Sequence, residues 1–260
     1  DPTIVNRSGL SPLDYVDKED RETRSQLLVA IHYFARRSNQ VKEIEPGRFT
    51  SDTHPLEVDF VVGTRAFLPG KCGMSMCPGR NKKNWRRDIN KDLDVLVRHK
   101  TDVLITLVRQ VELEMMGIAD FFERVKERGI TPVHCPIQDK WIPKTRDIFI
   151  GLVNQLLAMF AQGKTVVIHC NGGKGRTGLV AAAVCVVYGH PVLESVDLIR
   201  DSRAGMLKNP AQIIYLKLFQ QTIQGKIVQK DVHVKILTND NDNSNNNNVS
   251  NNVSDNNVSD

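Results

Sequence analysis

The chain has few cysteines, no long apolar stretch and no recognisable metal-ligand set. Only five of 260 residues are cysteine, an odd number at irregular spacing, which excludes a disulfide framework. Cys72 and Cys77 have four residues between them, but no second pair or histidine partner stands at ligand spacing. A zinc site, or any other metal, is therefore not expected. Cys135 and Cys185 read as core residues, with a role as oxidation partners the minor alternative. The longest apolar run, Leu179 to Tyr188, is about half of the roughly 20 residues a membrane-crossing helix needs, so no integral membrane segment is expected. The first residues show no charged-then-apolar leader, although a start at Asp1 leaves a removed leader open. Residues 239–260 have no base and no apolar period, only Asn, Ser, Asp and Val with Asn-Asn-Val-Ser three times. Such a composition cannot bury a core, and disorder is expected there.

What remains is compatible with one core domain plus appendages, since 40% of the residues are hydrophobic. The boundaries read as an N-terminal helical extension over 1–55, a main domain over 56–230, and the Asn-rich tail. Within the extension, residues 20–38 place Leu27, Leu28, Ile31 and Phe34 on one face of a charged helix. All 35 bases and 26 of the 30 acids precede residue 239, leaving +9 there against +5 for the whole chain. A basic surface of that kind attracts phosphorylated, acidic substrates. Lys82-Lys-Asn-Trp-Arg-Arg87 is one such patch, with a solvated charged face as its plain alternative. No nucleic-acid-binding module accompanies it, so no nucleic-acid partner is expected.

Short β-branched runs at Asp59–Ala66, Asp102–Val108, Thr131–Ile137 and Thr165–His169 predict strands. Helical patterns lie between and after them, at Ile89–His99, Glu112–Arg128, Thr145–Gln162, Gly178–Tyr188, Val192–Arg200 and Pro210–Ile223. This alternation predicts an α/β fold, a mostly parallel central sheet flanked by helices on both faces. Ligands in such sheets gather beyond the C-terminal strand ends.

At one of those ends stands His169-Cys-Asn-Gly-Gly-Lys-Gly-Arg-Thr-Gly178. A Gly-rich turn from strand into helix can aim its backbone N–H groups at a tetrahedral dianion, at the positive end of the helix. The same field favours the thiolate of Cys170, so the anion cradle is also a nucleophile. Asn171, Gly172, Gly173, Lys174 and Gly175 supply the cradle, and Arg176 adds a planar fork for two phosphate oxygens. Thr177 can donate its hydroxyl to the sulfur, and His169 orders the loop through its ring nitrogens. Phosphate ester hydrolysis through a cysteinyl-phosphate is the chemistry these residue types predict. It needs no metal or other cofactor, because the loop and Arg176 neutralise the dianion.

The signature H-C-x5-R-[ST] resembles that of the cysteine-dependent protein phosphatases, which implies a protein-tyrosine-phosphatase-like fold with a cysteine phosphate-binding loop. The stretch Val133-His-Cys-Pro-Ile-Gln-Asp139 also resembles the superfamily's "h-x-P-I-x-D" strand end. By that resemblance Asp139 rides a loop over the site as general acid and then base. Asp59-Phe-Val-Val-Gly-Thr-Arg-Ala-Phe-Leu-Pro-Gly70, Trp85-Arg-Arg-Asp-Ile-Asn-Lys-Asp-Leu93 and Leu198-Ile-Arg-Asp-Ser-Arg203 are similar to the kinase-associated phosphatase family, also called cyclin-dependent kinase inhibitor 3. The resemblance covers about residues 56–225 and places Gln212 near a segment that positions the attacking water; a plain helix-face glutamine is its alternative. The tryptophan-proline-aspartate and phosphotyrosine-recognition loops of the larger tyrosine-specific enzymes are missing, which implies a shallower pocket and dual specificity.

The expected activity is thus dual-specificity hydrolysis of phosphothreonine, phosphoserine and phosphotyrosine in proteins. The expected partner is a phosphoprotein, a cyclin-dependent kinase if the family branch holds. A catalytic thiolate implies a cytoplasmic or nuclear location. Two other readings stay open: a phosphoinositide phosphatase, suggested by Lys174, and a phosphoprotein-binding module, against which the intact Cys170, Arg176 and Asp139 argue.

Overall fold

The structure, a computed structural model, describes residues 49–239, with side chains to residue 224. The predicted helix over 20–38 and the predicted disorder of the tail lie outside the described residues. Up to Gln220 these residues belong to one compact unit. A second begins at Gln221, where the last helix continues to Asn239.

In chain order the elements are β1 (Phe49–Thr50), β2 (Asp59–Phe60), β3 (Lys71–Met76), β4 (Trp85–Arg86), α1 (Ile89–Arg98), β5 (Val103–Thr106), α2 (Gln110–Met115), α3 (Phe121–Glu127), β6 (Thr131–His134), α4 (Arg146–Ala161), β7 (Thr165–Cys170), α5 (Gly175–Tyr188), α6 (Val192–Ser202) and α7 (Pro210–Asn239). A five-stranded sheet runs β2-β3-β7-β5-β6. Its pairs are parallel apart from the antiparallel edge β2–β3, so the α/β architecture with a mostly parallel sheet is as expected. The strand β7 lies in the middle, with Val166, Val167 and Ile168 fully buried. Strands covered on both faces read as continuous apolar runs rather than alternating ones.

Several details differ from the sequence expectations. Lys71–Met76 is a strand, although Lys-Cys-Gly-Met-Ser-Met holds no β-branched residue. Its place beside β7, in register from Lys71 opposite Thr165 to Met76 opposite Cys170, decides its conformation. Propensity yields to tertiary context in this way. The strand expected over Asp59–Ala66 shrinks to Asp59–Phe60. The single helix expected over Glu112–Arg128 is two, parted by a turn in which Gly117 takes φ +73°. The helix expected to end at Ile223 runs on to Asn239. Phe49–Thr50 pairs with Trp85–Arg86, so chain ahead of residue 56 is also tied to the domain.

Helix starts follow local chemistry. Asp88 caps α1 by accepting from the amides of Asn90 and Lys91, and Thr145 caps α4 by accepting from Ile148. The helix α5 is buried without interruption from Arg176 to Val186 and has no polar face over that span, which suits a helix enclosed by its neighbours. It ends at Gly189, whose φ of +114° closes the last turn. Cys72, Cys77 and Cys185 are buried and Cys135 is half-buried. Desolvation pushes all four thiols up, as for structural rather than reactive cysteines.

Candidate active site

Cys170 is the last residue of β7 and Arg176 the second of α5, so the intervening loop turns at the C-terminal rim of the sheet. The sulfur-bearing residue is only 4% exposed, yet it floors a cleft of about 280 Å³ with Gly172, Lys174, Gly175 and Arg176. Asp139, Lys140, Gly205, Lys208, Asn209 and Gln212 form the other wall. Among the described residues, the amides of Gly172, Gly173 and Lys174 donate to no carbonyl or side chain. Three free N–H groups ahead of a 14-residue helix form an anion cradle.

The loop keeps this shape because of what lies beneath it. Gly173 has φ +63°, and a Cβ there would overlap the backbone of Ser75 and Met76 in β3. Gly173→Ala is therefore expected to lower the unfolding free energy by about 2–5 kcal/mol, the left-handed strain and the overpacking together. Gly117→Ala is the control, because Gly117 shares the positive φ but a Cβ there meets nothing within 4 Å. Urea denaturation of the two variants separates the terms, and equal losses would remove the steric claim.

Arg176 is 1% exposed and its guanidinium is held on three sides. Nη1 donates to Glu112 Oε2 at 3.0 Å and to the carbonyls of Ile137 at 2.8 Å and Leu107 at 3.2 Å. Nη2 donates to Glu112 Oε1 at 3.1 Å and to Asp139 Oδ1 at 3.0 Å. The bidentate grip of Glu112 takes one edge of the fork. It leaves the Nε–Nη2 edge for a ligand, and Nε is buried without a partner. Burial pushes the Arg176 guanidinium down, but Cys170, Glu112 and Asp139 outweigh it and the net direction is up. Burial likewise pushes the Glu112 carboxyl up, and its bonds to Arg176 and Arg109 reverse the sign, holding it below the usual carboxylate range. Each partner thereby keeps the other charged.

Asp139 lies five residues past β6, with its side chain 44% exposed. Its loop is pinned from the start of α7. Asn209 Nδ2 donates to the Lys140 carbonyl at 2.8 Å, and Gln212 Nε2 to that of Trp141 at 3.1 Å. Gln212 is 1% exposed, with Oε1 buried and unpartnered at the cleft wall, 3.0 Å from where a Cβ of Gly175 would stand. His169 is fully buried, and its Nε2 meets Thr106 Oγ1 at 2.9 Å. Desolvation pushes its pKa down to about 3. The ring is therefore neutral at physiological pH and ties β7 to β5.

One expectation changes. The Thr177 hydroxyl is buried but makes no hydrogen bond, so the donation to the sulfur is not formed here. Asn171 turns its side chain inward, with Nδ2 on the Met116 sulfur at 3.8 Å, which leaves its backbone to the expected cradle.

The sequence reading missed Glu112 and Arg80. Glu112 stands six residues past β5 and Asp139 five past β6, so the gathering of ligands beyond strand ends held a signal for Glu112. Arg80 offered none: its Nη1 lies 3.7 Å from where a Cβ of Gly172 would stand, and its guanidinium lies over the Trp85 ring at 5.7 Å. Its Nε is buried without a partner, and desolvation pushes its pKa down.

Residues 73–190 match the family model described as Tc-R-P: Polymorphic toxin system, DSP-PTPase phosphatase. The chain is 24% identical over 180 residues to cyclin-dependent kinase inhibitor 3 of Rattus norvegicus, covering 68% of this chain and 84% of that one. Among solved structures, kinase associated phosphatase with serine at its catalytic-site cysteine shares the fold at a TM-score of 0.61. That match has 23% identity and covers 65% of this chain and 96% of the other. PTPMT1 follows at a TM-score of 0.52 and 18% identity, covering 66% and 99%.

Proposed function

We infer that the chain, a cysteine-dependent dual-specificity phosphatase, removes phosphate from protein side chains by the following route. A phosphate monoester enters the cleft with its equatorial oxygens on the free loop amides and the Nε–Nη2 edge of Arg176. The dianion competes with Asp139 for Nη2, which releases the carboxyl to face the leaving oxygen. Cys170 thiolate attacks phosphorus in line while protonated Asp139 donates its proton to the departing alkoxide or phenoxide. Asp139, now a carboxylate, takes a proton from water, with Gln212 Oε1 available to accept the water's other hydrogen. The hydroxide cleaves the phosphocysteine, releasing phosphate and restoring the thiolate. Charge stabilisation comes from donors already in place, which is where most of the acceleration arises in such sites.

One observation carries this reading: a cysteine at the floor of a cleft, beside unpaired amides, with a buried guanidinium that lines the same cleft and is bonded to an acid, Asp139. A phosphate-binding module would need neither nucleophile nor acid. The similarity to cyclin-dependent kinase inhibitor 3 supports a phosphorylated cyclin-dependent kinase as the substrate. A thiolate nucleophile supports a reducing location, cytoplasmic or nuclear.

Lys174 is the observation behind the second reading, a phosphoinositide substrate. Phosphate release should be compared on phosphothreonine peptides, phosphotyrosine peptides and phosphoinositide micelles. Turnover of both peptide types above that of lipid is expected. Release from lipid alone would select the alternative.

A further inference from the structure

The scissile phosphate is already matched by Arg176 and the loop amides, yet the same cleft carries three further cations, Lys140, Lys174 and Lys208. Among the described residues none of the three pairs with a carboxylate. Two of them converge. Lys174 Nζ and Lys208 Nζ lie 3.3 and 3.7 Å from the point where a Cβ on Gly205 would stand. Two like charges around one point repel, and an anion between them reverses that sign.

The arrangement is built rather than incidental. Lys174 belongs to the phosphate loop, and Lys208 to a turn docked on it. Met206 and Leu207 in that turn are fully buried, and a Cβ on Gly178 would meet them at 3.0–3.1 Å. Arg200 Nε donates to the Met206 carbonyl at 3.3 Å and Nη2 to that of Leu207 at 3.2 Å. The Leu207 amide reaches the Lys174 carbonyl at 3.5 Å.

Resting on the phosphatase reading, we propose that Lys174 and Lys208, across Gly205, form a subsite for a second phosphate on the same peptide substrate. The enzyme would then prefer peptides phosphorylated at two nearby residues. A peptide is favoured over a lipid because, among the described residues, those lining the cleft include no aromatic or large aliphatic side chain.

The test uses phosphothreonine peptides carrying a second phosphoserine one, two or three residues away, on either side, against the singly phosphorylated parent. At one spacing kcat/KM is expected to rise about tenfold, the worth of one hydrogen bond to a charged group. The rise should shrink in high salt. Lys208→Gln should bring the ratio of kcat/KM for the doubly over the singly phosphorylated peptide back to about one. No gain at any spacing, or a gain that survives Lys208→Gln, overturns the subsite. A larger Lys208-dependent gain on a soluble inositol bisphosphate overturns its assignment to peptides. Should the wild-type chain fail on the aryl phosphate, the phosphatase reading falls by itself. Binding of the same peptides to the Cys170→Ser chain then decides the subsite: tighter binding of the doubly phosphorylated peptide upholds it, and equal binding removes it.

Discussion

Cys170→Ser is expected to remove turnover of an aryl phosphate by a factor on the order of 10⁴ or more, the scale seen when a covalent nucleophile is lost. The serine hydroxyl is not ionised at neutral pH and lacks the base that would activate it, because the neighbouring His169 ring points to Thr106. The fold should survive. Cys170 ends β7, and the pairing that holds it there, Met76 opposite Cys170 and Ser75 opposite His169, is backbone to backbone. Steady-state kinetics and urea denaturation of the same preparation check both halves. Turnover within tenfold of the parent would exclude Cys170 as nucleophile, whatever the denaturation midpoint.

Asp139→Ala has the second largest expected effect, and its size should depend on the substrate. Proton donation by a positioned acid typically contributes about 10²–10⁴-fold. That contribution is needed for a threonine alkoxide and much less for a nitrophenoxide, which leaves readily as an anion. The quantity to follow is kcat/KM, which covers steps up to the breaking of the ester bond, whereas kcat also contains hydrolysis of the phosphocysteine. A loss of about 10²-fold or more is expected on phosphothreonine peptides and a much smaller one on nitrophenyl phosphate. Equal losses on both would mean that Asp139 is not the acid. The ion pair adds a second readout. Removing the carboxylate frees one of the two N–H groups of Arg176 Nη2, the other staying on Glu112, so inorganic phosphate should inhibit Asp139→Ala at lower concentration than the parent. Weaker inhibition would show that Asp139 does not compete for that edge.

How far the site could be read from the chain differs from residue to residue. Cys170 and Arg176 belong to one short strand–loop–helix unit, so their relation follows from local geometry. Asp139 was legible through the resemblance of Val133–Asp139, and parallel strands deliver such following residues to the same rim. Glu112 obeys that rule too, but its function depends on meeting Arg176 across 64 residues of sequence. Arg80 follows a strand whose composition does not advertise it, so neither the strand nor the residue could be foreseen. Thr177 shows the reverse: its spacing promised a hydrogen bond to sulfur, and its hydroxyl is buried without one.

The amino-acid order alone pointed to the reaction class, to Cys170 and Arg176 as its candidate residues, and to the alternation of strands and helices. Those are properties of residues close together in the chain, where backbone geometry leaves few choices. Tertiary structure decided that Lys71–Met76 extends as a strand, that Glu112 holds Arg176, that Asn209 and Gln212 pin the acid's loop, and that Lys174 faces Lys208. Each of these depends on partners far apart in sequence, and their meeting is set by burial of the whole sheet rather than by any local preference.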